Sequence, residues 1–258
     1  MSSTLPVIIV LDIDATLVGL TTFLANHWLI CDGLGFDAKP DVLNALHTSN
    51  IIRPHFLTFY NNIKKQFDNN VEFFIYTTAA SQWAEWFIPC IEKVLGITFN
   101  RPIFANETHC TGLNHKSFDR IIPDISEFLK ERYPDITHEN IRQRIVAFDD
   151  YPLVYKEPED VARVIPCPPY KSTTFVDTLS ILPEEVSRTN FRYMANIMNH
   201  TAMLKFFPKD LRSFRAFFNR YTIYKCTLLQ TRNLFDDEDA STAFWSKFDV
   251  NVLSIMIQ

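Results

Sequence analysis

Three short, almost unbroken apolar runs stand out along the chain: Pro6-Val-Ile-Ile-Val-Leu11, Val71-Glu-Phe-Phe-Ile-Tyr76 and Arg144-Ile-Val-Ala-Phe148. Runs of this length, rich in β-branched and aromatic residues, suit strands buried on both faces, as in a parallel sheet. Between them the period changes. Phe56, Phe59, Tyr60 and Ile63 recur at helical spacing behind Arg53-Pro54, and Trp83, Trp86, Phe87 and Ile91 do so from Ser81 to about Val94. A further helix is expected over Pro123 to Arg132, with the proline in its first turn, and Thr137 is placed to cap another short one. The segment from Thr16 to Arg53, broken by Asp32-Gly33, Gly35 and Lys39-Pro40, reads as loop with short pieces and leaves no room for a large cap domain.

Strands alternating with helices predict an α/β fold, a doubly wound, mainly parallel sheet with a small cap or none. Each apolar run ends in a polar cluster: Asp12 and Asp14, then Thr77 and Thr78, then Asp149 and Asp150. In open α/β sheets that edge is where ligands bind. The chain changes character near residue 185, so residues 1–185 are expected to be the core and residues 186–258 a helical C-terminal extension. From Phe191 to Tyr224 apolar residues recur at helical spacing, and Asn199-His200 and Pro208 divide them into two or three helices. So much aromatic surface needs cover, either by packing on the core or by a self-association surface that makes a homo-oligomer. The alternation of Arg212, Arg215 and Arg220 with Phe214, Phe217 and Phe218 reads as a helix with one buried and one solvated face, and Asp236 to Asp239 as a solvated loop.

Composition narrows the function classes. An apolar share of 47% in 258 residues supports a sizeable core. A net charge of −5 disfavours a nucleic-acid partner, for which a basic excess is expected. The five cysteines are scattered and form no C-x-x-C pair, which argues against a disulfide framework or a zinc site, and His109-Cys110 has no partner spacing for a metal. No apolar stretch reaches the roughly 18 residues of a membrane span, and the apolar N-terminal run lacks a basic flank and ends at Asp12. The expectation is a soluble intracellular protein of cytoplasm or nucleus, with no membrane partner.

Asp12 and Asp14 carry the most chemistry. Two carboxylates two residues apart beyond a strand share one face if the extended geometry continues, and their repulsion is relieved by a cation. Oxygen donors favour a hard ion such as Mg²⁺. One carboxylate can attack phosphorus and form an acyl phosphate, while its neighbour protonates the leaving alkoxide and then activates water.

Asp12-Ile-Asp-Ala-Thr-Leu17 resembles motif I of the haloacid-dehalogenase-like superfamily, and more narrowly the D-L-D-x-T-L of phosphatases acting on the C-terminal domain of RNA polymerase II and their small relatives. Arg53-Pro-His55 with the helix behind it is similar to the family's R-P-x-x-x-x-F-L stretch. Ile75-Tyr-Thr-Thr-Ala79 resembles motif II, with Thr77 on the motif threonine, and Lys116 resembles the motif III lysine. Phe148-Asp-Asp-Tyr-Pro152 is similar to motif IV, and Tyr155 to Asp160 and Val164 to Pro168 match the stretch that follows. The matches come in family order over residues 5 to about 175.

The resemblance implies a Mg²⁺-dependent phosphatase with Asp12 as nucleophile and Asp14 as acid and base, acting on a phosphoprotein or phosphopeptide through phosphoserine or phosphothreonine. It implies a metal held by Asp12, the Asp14 backbone carbonyl and Asp150, with Asp149 paired to Lys116 and Thr16 tying down the loop. The catalytic set is then Asp12, Asp14, Thr77, Lys116 and Asp149, and the metal set Asp12, Asp14 and Asp150. Thr78 and Ala79 depart from the usual alanine and serine of motif II, and the gap from Lys116 to Asp149 is longer than in the small phosphatases. Two other readings share the scaffold: a catalytically silent binding module, and a phosphatase for small molecules or nucleic-acid ends.

Overall fold

A computed structural model describes residues 5–33, 35–110, 115–172, 174 and 238–257. The readings made for Phe191 to Tyr224 and for the Arg212 to Arg220 alternation lie outside the described residues. The chain divides into two compact units. One comprises Met1–Leu20, Ser49–Ser172 and Glu238–Gln258, the other Thr21–Thr48 and Thr173–Asp237.

The first unit is built on a four-stranded, all-parallel sheet in the order β2-β1-β3-β4, formed by β1 (Val7–Leu11), β2 (Val71–Ile75), β3 (Ile145–Asp149) and β4 (Val164–Pro166). Register sets Leu11 beside Ile75 on one side and Phe148 on the other, so three strands end level with one another. The ladder continues one step further, with Asp12 N–H donating to the Phe148 carbonyl at 3.0 Å and Tyr76 N–H to the Leu11 carbonyl at 2.9 Å. Every residue of β1, β2 and β3 is buried, which is why their sequences run apolar without alternation apart from Glu72, paired with Arg132 and Asn100, and Asp149 at the end of β3.

Helices cover both faces of this sheet, and two single-turn helices, α5 (Asn106–His109) and α8 (Pro158–Val161), lie in its connections. On one, Ile8, Val10, Phe74, Ile145 and Ala147 join the apolar sides of α6 (Phe118–Leu129) and α7 (His138–Arg144) in a single core. On the other, α3 (Phe56–Gln66) sets Phe59 edge-on to Phe148 at 5.2 Å and Tyr60 against Phe73 at 4.4 Å. Two C-terminal helices, α9 (Glu238–Lys247) and α10 (Asn251–Met256), belong to this unit. Trp245 on α9 is 3% exposed, with its ring 4.3 Å from Phe59, 5.3 Å from Phe148 and 5.4 Å from Phe56.

α4 (Ser81–Leu95) forms as its spacing predicts and stops at Gly96, whose φ of 67° suits a left-handed C-terminal residue. Thr137 caps α7 in a reciprocal box with Asn140. Five elements differ from the sequence reading. α6 begins at Phe118, so Pro123 lies in its interior and not its first turn. That proline is exposed, so the carbonyl it leaves unpaired can turn to water while Phe118, Ile121, Ile122, Ile125 and Leu129 still bury one stripe.

The segment read as loop holds α1 (Thr22–Gly33) and α2 (Lys39–Thr48), both in the second unit. α1 buries Phe23, Leu24, Asn26, His27, Trp28, Ile30 and Cys31, positions spread around the axis, so there is no stripe to read. Gly33 closes it, and Pro40 sits in the first turn of α2, where proline is tolerated. β4 has only three residues, too few to show a period. Glu238 and Asp239, expected in a loop, open α9.

Candidate active site

The C-terminal ends of β1, β2 and β3 bring the sequence-predicted residues to one edge of the first unit. Asp12 follows β1 directly, Thr77 lies two residues beyond β2, Asp149 ends β3 and Asp150 follows it. Lys116 reaches them from the segment just before α6, where its backbone bridges to Tyr155 and its N–H donates to the Val154 carbonyl at 3.0 Å.

The Lys116 ammonium is 1% exposed and donates to Asp12 Oδ1 and Asp149 Oδ2, each at 2.7 Å. Burial pulls its pKa down, but Asp12 and Asp149 outweigh that, and it lies above the ordinary lysine value. The rings of Tyr76 and Tyr155 stand 5.4 and 5.9 Å from it, so the charge sits between two carboxylates and two aromatic faces.

Asp12, Asp149 and Asp150 each offer a carboxylate oxygen, all within 4.8 Å of one another. Burial pushes the Asp12 carboxyl well up; Lys116 opposes this, and Asp149 and Asp150 add to it. Burial, aided by Asp149, pushes Asp150 up to about 6. Three carboxylates against one ammonium leave the cluster short of positive charge. A hard divalent cation with oxygen ligands supplies what is missing, so the donor set fits Mg²⁺.

Asp150 is held from the motif I loop. Its N–H donates to Thr16 Oγ1 at 2.9 Å, and the Thr16 hydroxyl faces Asp150 Oδ1 at 3.3 Å. The loop turns through Ala15, at φ 60°, whose carbonyl accepts from Tyr170 N–H at 2.7 Å. The left-handed region is costly for a residue with a Cβ, and alanine carries the smallest one. Gly19 closes the loop, where a Cβ would lie 1.9 Å from the Ser172 carbonyl oxygen. The Asp14 backbone sits in this loop, bridged to Val18.

Thr77 is buried, and its Oγ1 accepts from Ala79 N–H at 3.1 Å, which leaves the hydroxyl proton for a ligand. Ala79 lacks the hydroxyl usual at that place, and the Ser81 hydroxyl is engaged with Glu107 at 2.7 Å. His109 pairs with Asp124 at 2.9 Å. Cys31, Cys90, Cys110 and Cys167 are free thiols. Among the described residues no helix is long and apolar enough to cross a membrane.

Sequence reasoning missed the depth of the support. Arg53, noted only as part of a resemblance, is 1% exposed and donates to the carbonyls of Thr16, Pro168 and Ser241 at 3.2, 2.7 and 2.8 Å. Its partners come from three distant parts of the chain, and no local pattern signals them. A groove of about 660 Å³ lined by Tyr60, Lys64, Val71, Phe73 and Gly96 lies at the strand-start end of β2, away from the carboxylates.

Comparison with known proteins adds a family. The model of the NLI interacting factor-like phosphatases matches residues 7–190. Among solved structures, the chain is similar to Fcp1, an essential RNA polymerase II CTD phosphatase, at 18% identity and a TM-score of 0.37, covering 64% of this chain and 42% of that one. It is also similar to a variant of the fission yeast RNA polymerase II CTD phosphatase Fcp1 bound to beryllium fluoride, at 15% identity and a TM-score of 0.37, covering 76% and 52%. The chain thus spans about half the length of these solved relatives. No curated protein matches it.

Proposed function

This chain belongs to the NLI interacting factor-like phosphatase family, and from that premise we propose a Mg²⁺-dependent phosphatase that works through an aspartyl-phosphate on Asp12 and acts on phosphoserine or phosphothreonine in proteins. The observation that carries the reading is the Lys116 ammonium, buried and 2.7 Å from both Asp12 and Asp149 at the sheet edge where Asp150 completes a three-carboxylate cluster. A buried lysine between two carboxylates orients the nucleophile and offsets charge on the group in transfer.

The proposed chemistry runs through these residues. An Asp12 oxygen attacks phosphorus as the phosphorus–alkoxide bond breaks, and Asp14 gives the leaving oxygen its proton. Asp14 then takes a proton from water, whose oxygen attacks the acyl phosphate; the bond from phosphorus to Asp12 breaks and phosphate leaves. Lys116 holds Asp12 throughout, and Thr77 donates to a phosphate oxygen. Asp12, Asp150 and the Asp14 carbonyl would hold Mg²⁺, which supplies charge neutralisation at the phosphoryl oxygens.

The test is turnover of p-nitrophenyl phosphate by the full chain. Activity in Mg²⁺, its loss in EDTA and its return on adding Mg²⁺ are expected. Asp12→Asn, nearly isosteric and a poor nucleophile, is expected to lower kcat by about three orders of magnitude or more with an unchanged circular dichroism spectrum. Full turnover in chelator, or by Asp12→Asn, contradicts the proposal.

A further inference from the structure

The segment after Asp150 is short, hydrogen-bonded at both ends and carries apolar side chains on its outside. Tyr151 N–H donates to Asp149 Oδ1 at 2.9 Å, and Pro152–Val154 form a 3₁₀ turn closed by bonds from Val154 N–H to the Tyr151 carbonyl and from Tyr155 N–H to the Pro152 carbonyl, both 3.1 Å. At its far end the Val154 carbonyl accepts from Lys116 N–H at 3.0 Å, and Tyr155 is buried. The loop is therefore pinned at one end to Asp149 and at the other to the backbone of Lys116. Yet its two large side chains point to solvent, Tyr151 57% and Leu153 72% exposed.

Single exposed apolar side chains need no explanation. Two on one short loop, tied at one end to Asp149 and at the other to the Lys116 backbone, stand beside the carboxylate cluster. We propose that Tyr151 and Leu153 form an apolar lip that selects phosphopeptides with a large apolar or aromatic residue next to the phosphorylated serine or threonine; this rests on the phosphatase reading above. Phosphoserine and phosphothreonine side chains are short, so phosphorus reaches Asp12 only if the peptide backbone comes up to the mouth of the site. The neighbouring residues are then carried against whatever borders Asp150; Tyr151 follows it directly and is bonded through its N–H to Asp149, and Leu153 lies two residues further on in the 3₁₀ turn. An apolar neighbour that covers them removes two exposed side chains from water, and a polar one does not. A small aryl phosphate has no neighbouring residues and gains nothing from the lip.

The experiment compares the full chain with Leu153→Ser and Tyr151→Ser on p-nitrophenyl phosphate and on phosphoserine peptides that differ only in carrying leucine, phenylalanine or serine immediately before or after the phosphoserine. The wild-type chain is expected to prefer an apolar neighbour by about tenfold in kcat/KM, the scale of one well-covered side chain. Leu153→Ser is expected to lose most of that preference while its rate on p-nitrophenyl phosphate stays unchanged. Tyr151→Ser, read as the ratio of peptide to p-nitrophenyl phosphate turnover, is expected to move the same way. A wild-type chain indifferent to the neighbour, or a preference undiminished in both variants, overturns the lip and leaves the phosphatase reading standing. Absence of Mg²⁺-dependent p-nitrophenyl phosphate turnover in the wild type overturns both.

Discussion

The Arg53 guanidinium donates through Nε to the carbonyl of Ser241 at 2.8 Å, joining residues 188 positions apart in the sequence. The same side chain holds the Thr16 and Pro168 carbonyls and lies beneath the Phe244 ring, 4.9 Å from its centroid. One buried cation thus ties the motif I loop and the stretch after β4 to α9. Burial lowers its pKa from the ordinary arginine value, although nearby acidic groups counter this, and a residue of this type stays charged. Lysine cannot reproduce a planar fork with three separate acceptors. Arg53→Lys is expected to cost roughly 3 kcal/mol through carbonyls left short of donors. The midpoint of urea unfolding measures it, and an unchanged midpoint contradicts this view of the site's support.

The same helix contributes Trp245, wedged among Phe56, Phe59 and Phe148. Phe148 immediately precedes Asp149, so the ring packs directly behind the site. Trp245→Ala is expected to lose about 3–5 kcal/mol, the usual cost of emptying a large buried aromatic site. Because α9 lies beyond residue 190, where the family match ends, a loss of that size also makes the C-terminal helix part of this chain's core.

Thr16→Val separates metal binding from the nucleophile. The substitution keeps size and burial and removes both contacts to Asp150, the backbone bond at 2.9 Å and the side-chain contact at 3.3 Å. Supporting bonds of this kind are worth about 10- to 100-fold in metal affinity. The concentration of Mg²⁺ giving half-maximal activity is expected to rise by about tenfold or more, with kcat at saturating Mg²⁺ much less affected. An unchanged Mg²⁺ requirement means that Thr16 does not position the metal ligand.

How far the sequence revealed this molecule depends on how local each feature is. β1, β2 and β3 could be read because burial on both faces forces continuous apolar runs, and the Thr137 cap because its partner Asn140 lies three residues away. α1 escaped because it is buried around its axis and shows no stripe, and β4 because three residues at a sheet edge carry no period. The start of α6 was misplaced because Pro123 looks like a first-turn proline, whereas it is exposed in the interior of a helix held by its apolar face. The site depends on long-range geometry. Lys116 and Asp12 are 104 residues apart, and nothing near either one announces the other; only the ordered resemblance named both. Arg53 shows the limit of that resemblance, since its bond to Ser241 arises from a helix outside the family match.

The claim on which the rest depends is that an Asp12 oxygen is the nucleophile that attacks phosphorus. Beryllium fluoride imitates a phosphoryl group bonded to a carboxylate, so a crystal structure of the full chain with beryllium fluoride and Mg²⁺ tests it most directly. Beryllium is expected to be bonded to an Asp12 oxygen, with its fluorides within hydrogen-bond reach of Thr77 and Lys116 and Mg²⁺ on Asp12 and Asp150. Beryllium fluoride bound at another residue, or absent from Asp12 at saturating concentration with Mg²⁺ in place, contradicts it.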